Sequence, residues 1–571
     1  MKNYYRLVAA RLSALLVATC VLNGCATGVT TVPATPININ LVALNDFHGN
    51  LEPSKFTYTP ATGAPSVTVQ AGGIATLAGA LQQWRLEDPN LLFVAAGDLI
   101  GGTPAMSSMW ADEPSLTALD MIGLLASSAG NHEFDAGRKE LLRQQHGGCD
   151  SPRPDKACKF TPTWHGAKFT YLAANVVDAV TGQTLLPSYR IDQVRGVKVA
   201  MIGAVLKNTP SVVLASGVAG LTFLDEADAI NGAMVGARAD GATVFVVLIH
   251  EGAHTDEGFS EPDCKRLQGP VVDIARRLDP AIRLIISGHT HTGFQCRVGD
   301  RVITQAEMGG HVLSRIRLTV DPLTRTLRDI AVNNVPMTAG AYPKVPAVEA
   351  FLKQVQERSA SQLARPIARV ATRSIGRKLD AAGQAALGDL AADAVLFATR
   401  HLGVQIGFMN IAGLRRDIDV GDDMLVTYGL AQAVLPFANT LVVMDFTGAQ
   451  LHALIEQQWD PTFVEPTRSM LQISDGFSYQ WDSRRPHGQR VVPGSMMQGG
   501  VLVQAHKTYR IAANNFLAEG GDKLPMFKEG ANRQETGIVD LDAFSRYLLE
   551  RERAGKPAGS DAPAGRIVRV R

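Results

Sequence analysis

Ile39-Asn40-Leu41-Val42-Ala43-Leu44-Asn45-Asp46-Phe47-His48-Gly49 is the stretch on which the fold turns. A short apolar run breaks off into Asp-x-His-Gly, the way a buried strand delivers polar side chains at its carboxyl end. The pattern recurs: apolar runs at 91–95, 197–202, 244–249 and 284–286 also end in glycine- or histidine-rich turns. Between them, 73–84 and 115–125 carry helical spacing. Buried strands alternating with helices describe an α/β sandwich. In such folds the loops at the carboxyl ends of the strands hold the site.

Those strand ends carry Asn45-Asp46-Phe47-His48-Gly49, Gly97-Asp98-Leu99, Gly130-Asn131-His132-Glu133-Phe134-Asp135, His250-Glu251 and Gly288-His289-Thr290-His291. One such motif would be weak evidence. Together, in order, they read as ligands for two divalent ions: Asp46, His48, Asp98, Asn131, His250, His289 and His291. Alternate residues of an extended segment face the same way, so Asp46 and His48, like His289 and His291, can address one ion. Glycine at 49 and at 288 lets the backbone turn tightly beside the metals. A carboxylate can bridge two ions about 3.5–4 Å apart, and Asp98, alone in its turn, is the natural bridge. Mixed nitrogen and oxygen donors suit zinc, manganese, iron or cobalt better than calcium. Glu251 and His254 read as supporting or solvent-facing groups.

The chain has 571 residues, too many for one hydrophobic core, so two large domains are expected. A formal net charge of +1 argues against an electrostatic nucleic-acid binder, and no nucleic-acid polymer is expected as partner. Lys2, Arg6 and Arg11 precede an apolar run at 12–22, the layout of a signal peptide. That run is shorter than the roughly 20 apolar residues a membrane-spanning helix needs. It ends in Leu22-Asn23-Gly24-Cys25, similar to a bacterial lipobox, with Cys25 as the acylated residue. The alternative is plain cleavage near Ala26 or Gly28. The lipobox reading makes the protein exported and anchored by its N-terminal lipid on the periplasmic side or cell surface, and Ala26 is compatible with the outer membrane. Cys149, Cys158, Cys264 and Cys296 then remain for an oxidising compartment. They allow three connectivities, of which Cys149–Cys158 with Cys264–Cys296 closes the shortest loops. A polar stretch at 346–363 reads as an exposed helix able to connect domains, and a second α/β region follows from about 367 to 556.

The order D-x-H, GD, GNHEFD, H and GHxH is similar to that of the calcineurin-like metallophosphoesterases. Gly97-Asp98-Leu99-Ile100-Gly101-Gly102-Thr103-Pro104 and the motif at 130–135 more closely resemble the bacterial 5′-nucleotidase/UDP-sugar hydrolase family, and the resemblance runs from about 39 to beyond 523. It implies a four-layer α/β/β/α metallophosphoesterase sandwich, joined by a linking helix to a second α/β nucleotidase domain. The segments become a signal peptide at 1–24, a tether at 25–37, a catalytic domain at 38–337, a linking helix at 338–365, a substrate-binding domain at 366–557 and a tail at 558–571. One ion would take Asp46, His48, Asp98 and His291, the other Asp98, Asn131, His250 and His289. His132, oriented by Asp135, would stabilise the phosphate or protonate the leaving oxygen, and water acidified by the metals would attack. His291 departs from the glutamine common in the nucleotidases, which makes the metal site generic to the wider superfamily.

In the second half, Asn410-Ile411-Ala412-Gly413-Leu414-Arg415 stands where the family has Asn-Gly-Gly-Gly-Ile-Arg, so that loop's glycine run is diluted. Leu435-Pro436-Phe437-Ala438-Asn439-Thr440 and Asn515-Phe516-Leu517-Ala518-Glu519-Gly520-Gly521-Asp522 resemble its other two motifs. The resemblance implies that Phe437 and Phe516 sandwich a base, Asp522 accepts from ribose hydroxyls, Arg415 meets phosphate and Asn410 belongs to the same substrate site. Base stacking on aromatic rings contributes about 1–3 kcal/mol per base. A further phosphate-side arginine has no clear match; Arg377 is nearest and Arg416 could substitute. The function expected is hydrolysis of nucleoside 5′-phosphates, or of nucleotide sugars. The alternatives are a 2′,3′-cyclic nucleotide phosphodiesterase/3′-nucleotidase, a thiosulfohydrolase-like relative, and a surface lipoprotein that binds without turnover.

Overall fold

The structure, a computed structural model, describes residues 35–262, 264–459, 470–559 and 565–570. The expected signal peptide, Cys25, most of the tether and part of the tail lie outside these residues. Among the described residues, no helix is long and apolar enough to cross a membrane.

Two six-stranded sheets form the N-terminal unit. In one, Ile37–Leu44, Leu92–Ala96, Ala126–Ser128 and Thr170–Leu172 run parallel, with Val312–Val320 and Leu327–Pro336 antiparallel at one side. In the other, Val197–Val205, Val244–His250, Ile282–Ile286 and Arg301–Ala306 run parallel between antiparallel edges Tyr189–Val194 and Gly293–Val298. Strand periodicity assigns the layers. Leu41 and Ala43 meet Val246 and Leu248 in a core between the sheets. Val42 and Leu44 turn outward onto Ile74, Leu77 and Leu81 of helix Ile74–Glu87. Phe245, Val247 and Ile249 turn outward onto Ala227 and Ile230 of Glu226–Ala239 and Val271 and Ile274 of Pro270–Arg277. Both faces of each sheet are covered, so their strands read as continuous apolar runs, and the architecture is the four-layer α/β/β/α sandwich.

Pro346–Leu363 is helical, with proline in the first turn, where a missing N–H leaves no bond unmade. It is not exposed all round, as its polar composition led one to expect. Val348, Val355 and Ser359 are buried against the first unit, and Trp110 Nε1 donates to Ser359 Oγ at 3.0 Å. The second unit is built on a five-stranded sheet ordered Leu471–Ile473, Ile406–Asn410, Thr508–Asn514, Thr440–Thr447, Ala531–Val539. Helices Ala386–Thr399 and Asp540–Arg553 pack beside it. Cys149 is bonded to Cys158 and Cys264 to Cys296. The first bond closes the loop after helix Gly137–His146; the second fastens the edge strand Gly293–Val298.

Candidate active site

The parallel strands of both sheets discharge at one end, and the expected ligands gather there. Asp46 and His48 follow Ile37–Leu44, Asp98 follows Leu92–Ala96, Asn131 follows Ala126–Ser128, His250 ends Val244–His250, and His289 and His291 follow Ile282–Ile286. Asp46 and His48 do converge, but not through extended backbone. Asp46, His48, Asp98, His289 and His291 all lie at positive φ, between 45° and 73°. For residues with a Cβ that conformation costs of order 1–3 kcal/mol each and collects at functional sites. Backbone bonds across the strand ends hold it: Asp46 N–H to Gly97 O at 3.1 Å and His48 N–H to Asp98 O at 2.9 Å. Gly49 takes the turn expected of it, at φ 56°. Gly288 serves by its size instead, since a Cβ there would lie 2.7 Å from Ala96 O and 3.0 Å from Asp46 Oδ2.

The donor atoms face one another at short range. His48 Nε2 lies 3.1 Å from His291 Nε2 and 3.7 Å from Asp98 Oδ2. His291 Nε2 lies 3.2 Å from Asp46 Oδ1, and His250 Nε2 3.0 Å from Asp98 Oδ2. Asp46, His48 and His291 form one group able to hold an ion; Asp46, Asp98 and His250 form another. His289 Nδ1 sits 3.0 Å from Asn131 Oδ1, beside the second group.

Proton positions decide whether this is a metal cradle. His48 Nδ1 is 2.8 Å from Gly101 O, and His250 Nδ1 is 2.8 Å from Ala96 O. Carbonyl oxygens only accept, so each Nδ1 carries a proton and each ring turns Nε2 toward the carboxylates. Burial and the charge of Arg415 hold His48 well below the usual histidine range. Burial pulls His250 down, but Asp98 and Asp46 outweigh it and push it up to about 10. The two carboxylates thus favour positive charge between these atoms, and a divalent ion would supply it in place of that proton. The residues present fit divalent metal.

Glu133, quoted within its motif but given no role, organises the turns. Its carboxylate accepts the N–H groups of Asp98 at 3.0 Å, Leu99 at 2.9 Å and Gly130 at 2.5 Å. A carboxylate two residues past the proposed ligand Asn131 was the only sign of it in the sequence. Asn45 is similar: its Nδ2 donates to Asp46 Oδ2 at 2.7 Å. His132 Nδ1 lies 2.8 Å from Asp135 Oδ2, and its Nε2 4.0 Å from Asp98 Oδ2. Burial lowers His132, yet Asp135 and Asp98 bring its pKa above the ordinary value.

A cleft of about 560 Å³ opens over these groups and is walled by both units. Arg415 Nη2 reaches within 3.3 Å of His48 Nε2. Phe437 stacks on His132, centroids 5.4 Å apart and planes at 13°. Phe516, Asp522 and Asn410 line the same cleft, with Asn410 Nδ2 donating to Asp522 Oδ2 at 2.8 Å. Lys523, which the sequence did not single out, lines it too, as do Glu251 and His254. Of the two candidate arginines, Arg377 donates to Leu414 O and Arg416 is exposed.

Comparison with known proteins agrees with this arrangement. Residues 39–293 match the calcineurin-like phosphoesterase model, and residues 366–529 match the 5′-nucleotidase C-terminal domain model. The chain belongs to the calcineurin-like phosphoesterases that carry a 5′-nucleotidase C-terminal domain, a family of metal-dependent phosphoester hydrolases. It is 29% identical over 520 residues to Endonuclease YhcR of Bacillus subtilis, spanning 91% of this chain but 40% of that protein. It is 28% identical over 563 residues to Cell wall protein Lmo0130 of Listeria monocytogenes, spanning 93% and 69%. A 5′-nucleotidase precursor from Thermus thermophilus superposes with a TM-score of 0.74 at 25% identity, covering 94% of this chain and 99% of that one.

Proposed function

We propose that this protein hydrolyses nucleoside 5′-phosphates, and nucleotide sugars as a second substrate class, with two divalent ions in the cradle. The observation that carries the reading is the inter-unit cleft, where Nε2 of His48 and of His250 faces Asp46 and Asp98 while Arg415 and Phe437 of the second unit close over them. Asp46, His48, Asp98 and His291 would hold one ion, and Asp98, Asn131, His250 and His289 the other. Ions held there acidify water and polarise phosphoryl oxygens. The protein's own groups do the rest. Arg415, a planar donor fork, meets the phosphate. His132, kept in place by Asp135, donates its proton to the leaving oxygen. Phe516 and Phe437 bind the base, and Asp522 takes up ribose hydroxyls.

Both disulfides and the N-terminal pattern support export, with Cys25 as the lipid anchor at a bacterial surface or periplasmic face. The likeness to a protein named for the cell wall is in keeping with this.

The test is phosphate release by the manganese- or cobalt-loaded protein from AMP, UDP-glucose, 2′,3′-cyclic AMP, bis(p-nitrophenyl) phosphate and a thiosulfate conjugate. AMP should be turned over fastest, and chelation or Asp98→Asn should leave under about 1% of the rate, a loss of more than about 2.7 kcal/mol of transition-state stabilisation. Faster turnover of the cyclic or diester substrates would replace the monoesterase reading. No turnover of any substrate at full metal occupancy would end the enzymatic one.

A further inference from the structure

Behind Asp46, away from the cleft, lies a chain of polar contacts that the proposed chemistry does not use. Asn45 Oδ1 accepts the N–H of Ala306 at 2.6 Å, while its Nδ2 donates to Glu307 O at 2.5 Å as well as to Asp46 Oδ2. Gly309 N–H donates to Asp46 O at 2.7 Å. The loop that follows strand Arg301–Ala306 thus grips the Asp46 main chain directly and reaches its carboxylate through Asn45.

What shapes that loop is Glu307, a non-glycine residue at φ 56°. Its carboxylate accepts Met308 N–H at 2.6 Å and faces His311 Nδ1 at 2.8 Å. A carboxylate only accepts, so Nδ1 carries a proton, and Nε2 hydrogen-bonds the Ser54 hydroxyl, 2.7 Å away. Phe56 stacks on the imidazole at 5.1 Å and 18°, and His311 is buried. The order hydroxyl, imidazole, carboxylate is that of a nucleophilic triad, but Ser54 and His311 do not line the cleft. Among the described residues, this relay of contacts reaches the site through Asn45 and Asp46. A strained residue that glycine would relieve, kept here as a carboxylate with a buried histidine on it, points to a purpose beyond the turn.

We infer that Glu307 and His311 are positioning residues that fix the Asp46 carboxylate in its metal-holding orientation, bracing it against the hairpin of strands Ser54–Tyr58 and Val67–Ala71. The inference rests on the metal reading of the cradle. Outer groups that orient metal ligands are commonly worth about 10–100-fold in metal affinity.

The full-length protein, stripped by chelation, is titrated with manganese by calorimetry as wild type, Glu307→Gly, Glu307→Gln, His311→Ala and Asp46→Asn, and the melting temperature of each metal-free form is recorded. Glu307→Gly relieves the backbone, so its metal-free form should melt no lower than wild type, yet its tighter manganese site should weaken by about 10–100-fold. His311→Ala should weaken that site similarly. Glu307→Gln, which keeps an acceptor for His311, should stay within about threefold of wild type. If Asp46→Asn binds weakly while Glu307→Gly and His311→Ala bind as wild type, the strut is wrong. If Asp46→Asn binds as wild type, the metal reading has failed and the inference falls with it.

Discussion

His132 is held between two unlike contacts: the Asp135 carboxylate on Nδ1 and the face of Phe437 across the cleft. The carboxylate selects the tautomer that leaves Nε2 to exchange protons with substrate, and the ring keeps water off one face of the imidazole. Neither His132 nor Asp135 is among the proposed ligands, so their loss should be separable from loss of metal. His132→Ala should lower kcat on AMP by about 10²–10⁴ with full metal content, the range general acid catalysis supplies. Asp135→Asn should have a smaller effect in the same direction, because its amide still orients the ring. Metal analysis run beside steady-state kinetics checks this, and a His132→Ala protein that had lost its ions would contradict it. The proposed ligands other than Asn131 were legible in the sequence because each is a polar residue at or just past the end of an apolar run. Glu133 and Asn45 were not, since what they do depends on N–H groups brought to them by other strands.

Among elements, the buried parallel strands were the easiest to read. The apolar run at 244–249 became Val244–His250, and 284–286 lengthened to Ile282–Ile286. Ala126–Ser128 was invisible, being three small residues with no periodicity, and Asn131 emerged only from its motif. The hairpin Ser54–Tyr58 with Val67–Ala71 was missed as well, because half-exposed polar strands leave no apolar run. Helix Asp540–Arg553 shows a different dependence on context. Asp540 opens it, buried, its carboxylate accepting Leu541 N–H at 2.8 Å while its own N–H donates to Asn439 O at 2.8 Å. Burial pushes Asp540 up to about 7 from an ordinary 3.8, against the pull of its hydrogen bonds. Between those two values the folded state holds a proton that the unfolded chain has lost. Stability therefore falls as pH rises through that window and levels off above about 7. Asp540→Asn removes the charge, so its melting temperature should match wild type near pH 4 and exceed it by at least about 2 °C at pH 8, by the usual scaling for large domains. Thermal melts across that range decide it; a difference that did not grow with pH would refute it.

At the scale of the whole molecule, the cleft exists only because the two units face each other. The contacts that span it are specific. Asp522 N–H donates to Ser211 O at 3.2 Å, Ala215 N–H to Glu519 Oε2 at 3.1 Å, and Gln432 Nε2 to Ser108 Oγ at 2.9 Å. Arg415 and Phe437 come within reach of His48 and His132 in the same arrangement. The two aromatic residues are therefore not equivalent: Phe516 packs against the core of its own unit, whereas Phe437 touches the residue proposed to move the proton. Phe516→Ala should raise KM for AMP by about 5–150-fold, the worth of one stacked base, and leave hydrolysis of p-nitrophenyl phosphate unchanged. Phe437→Ala should raise KM for AMP similarly and also lower kcat on p-nitrophenyl phosphate, because it uncovers His132 whatever the leaving group. Paired kinetics on the two esters separate these outcomes. If both variants impaired AMP and the simple ester alike, the rings would be serving the closure of the two units and not the recognition of a base.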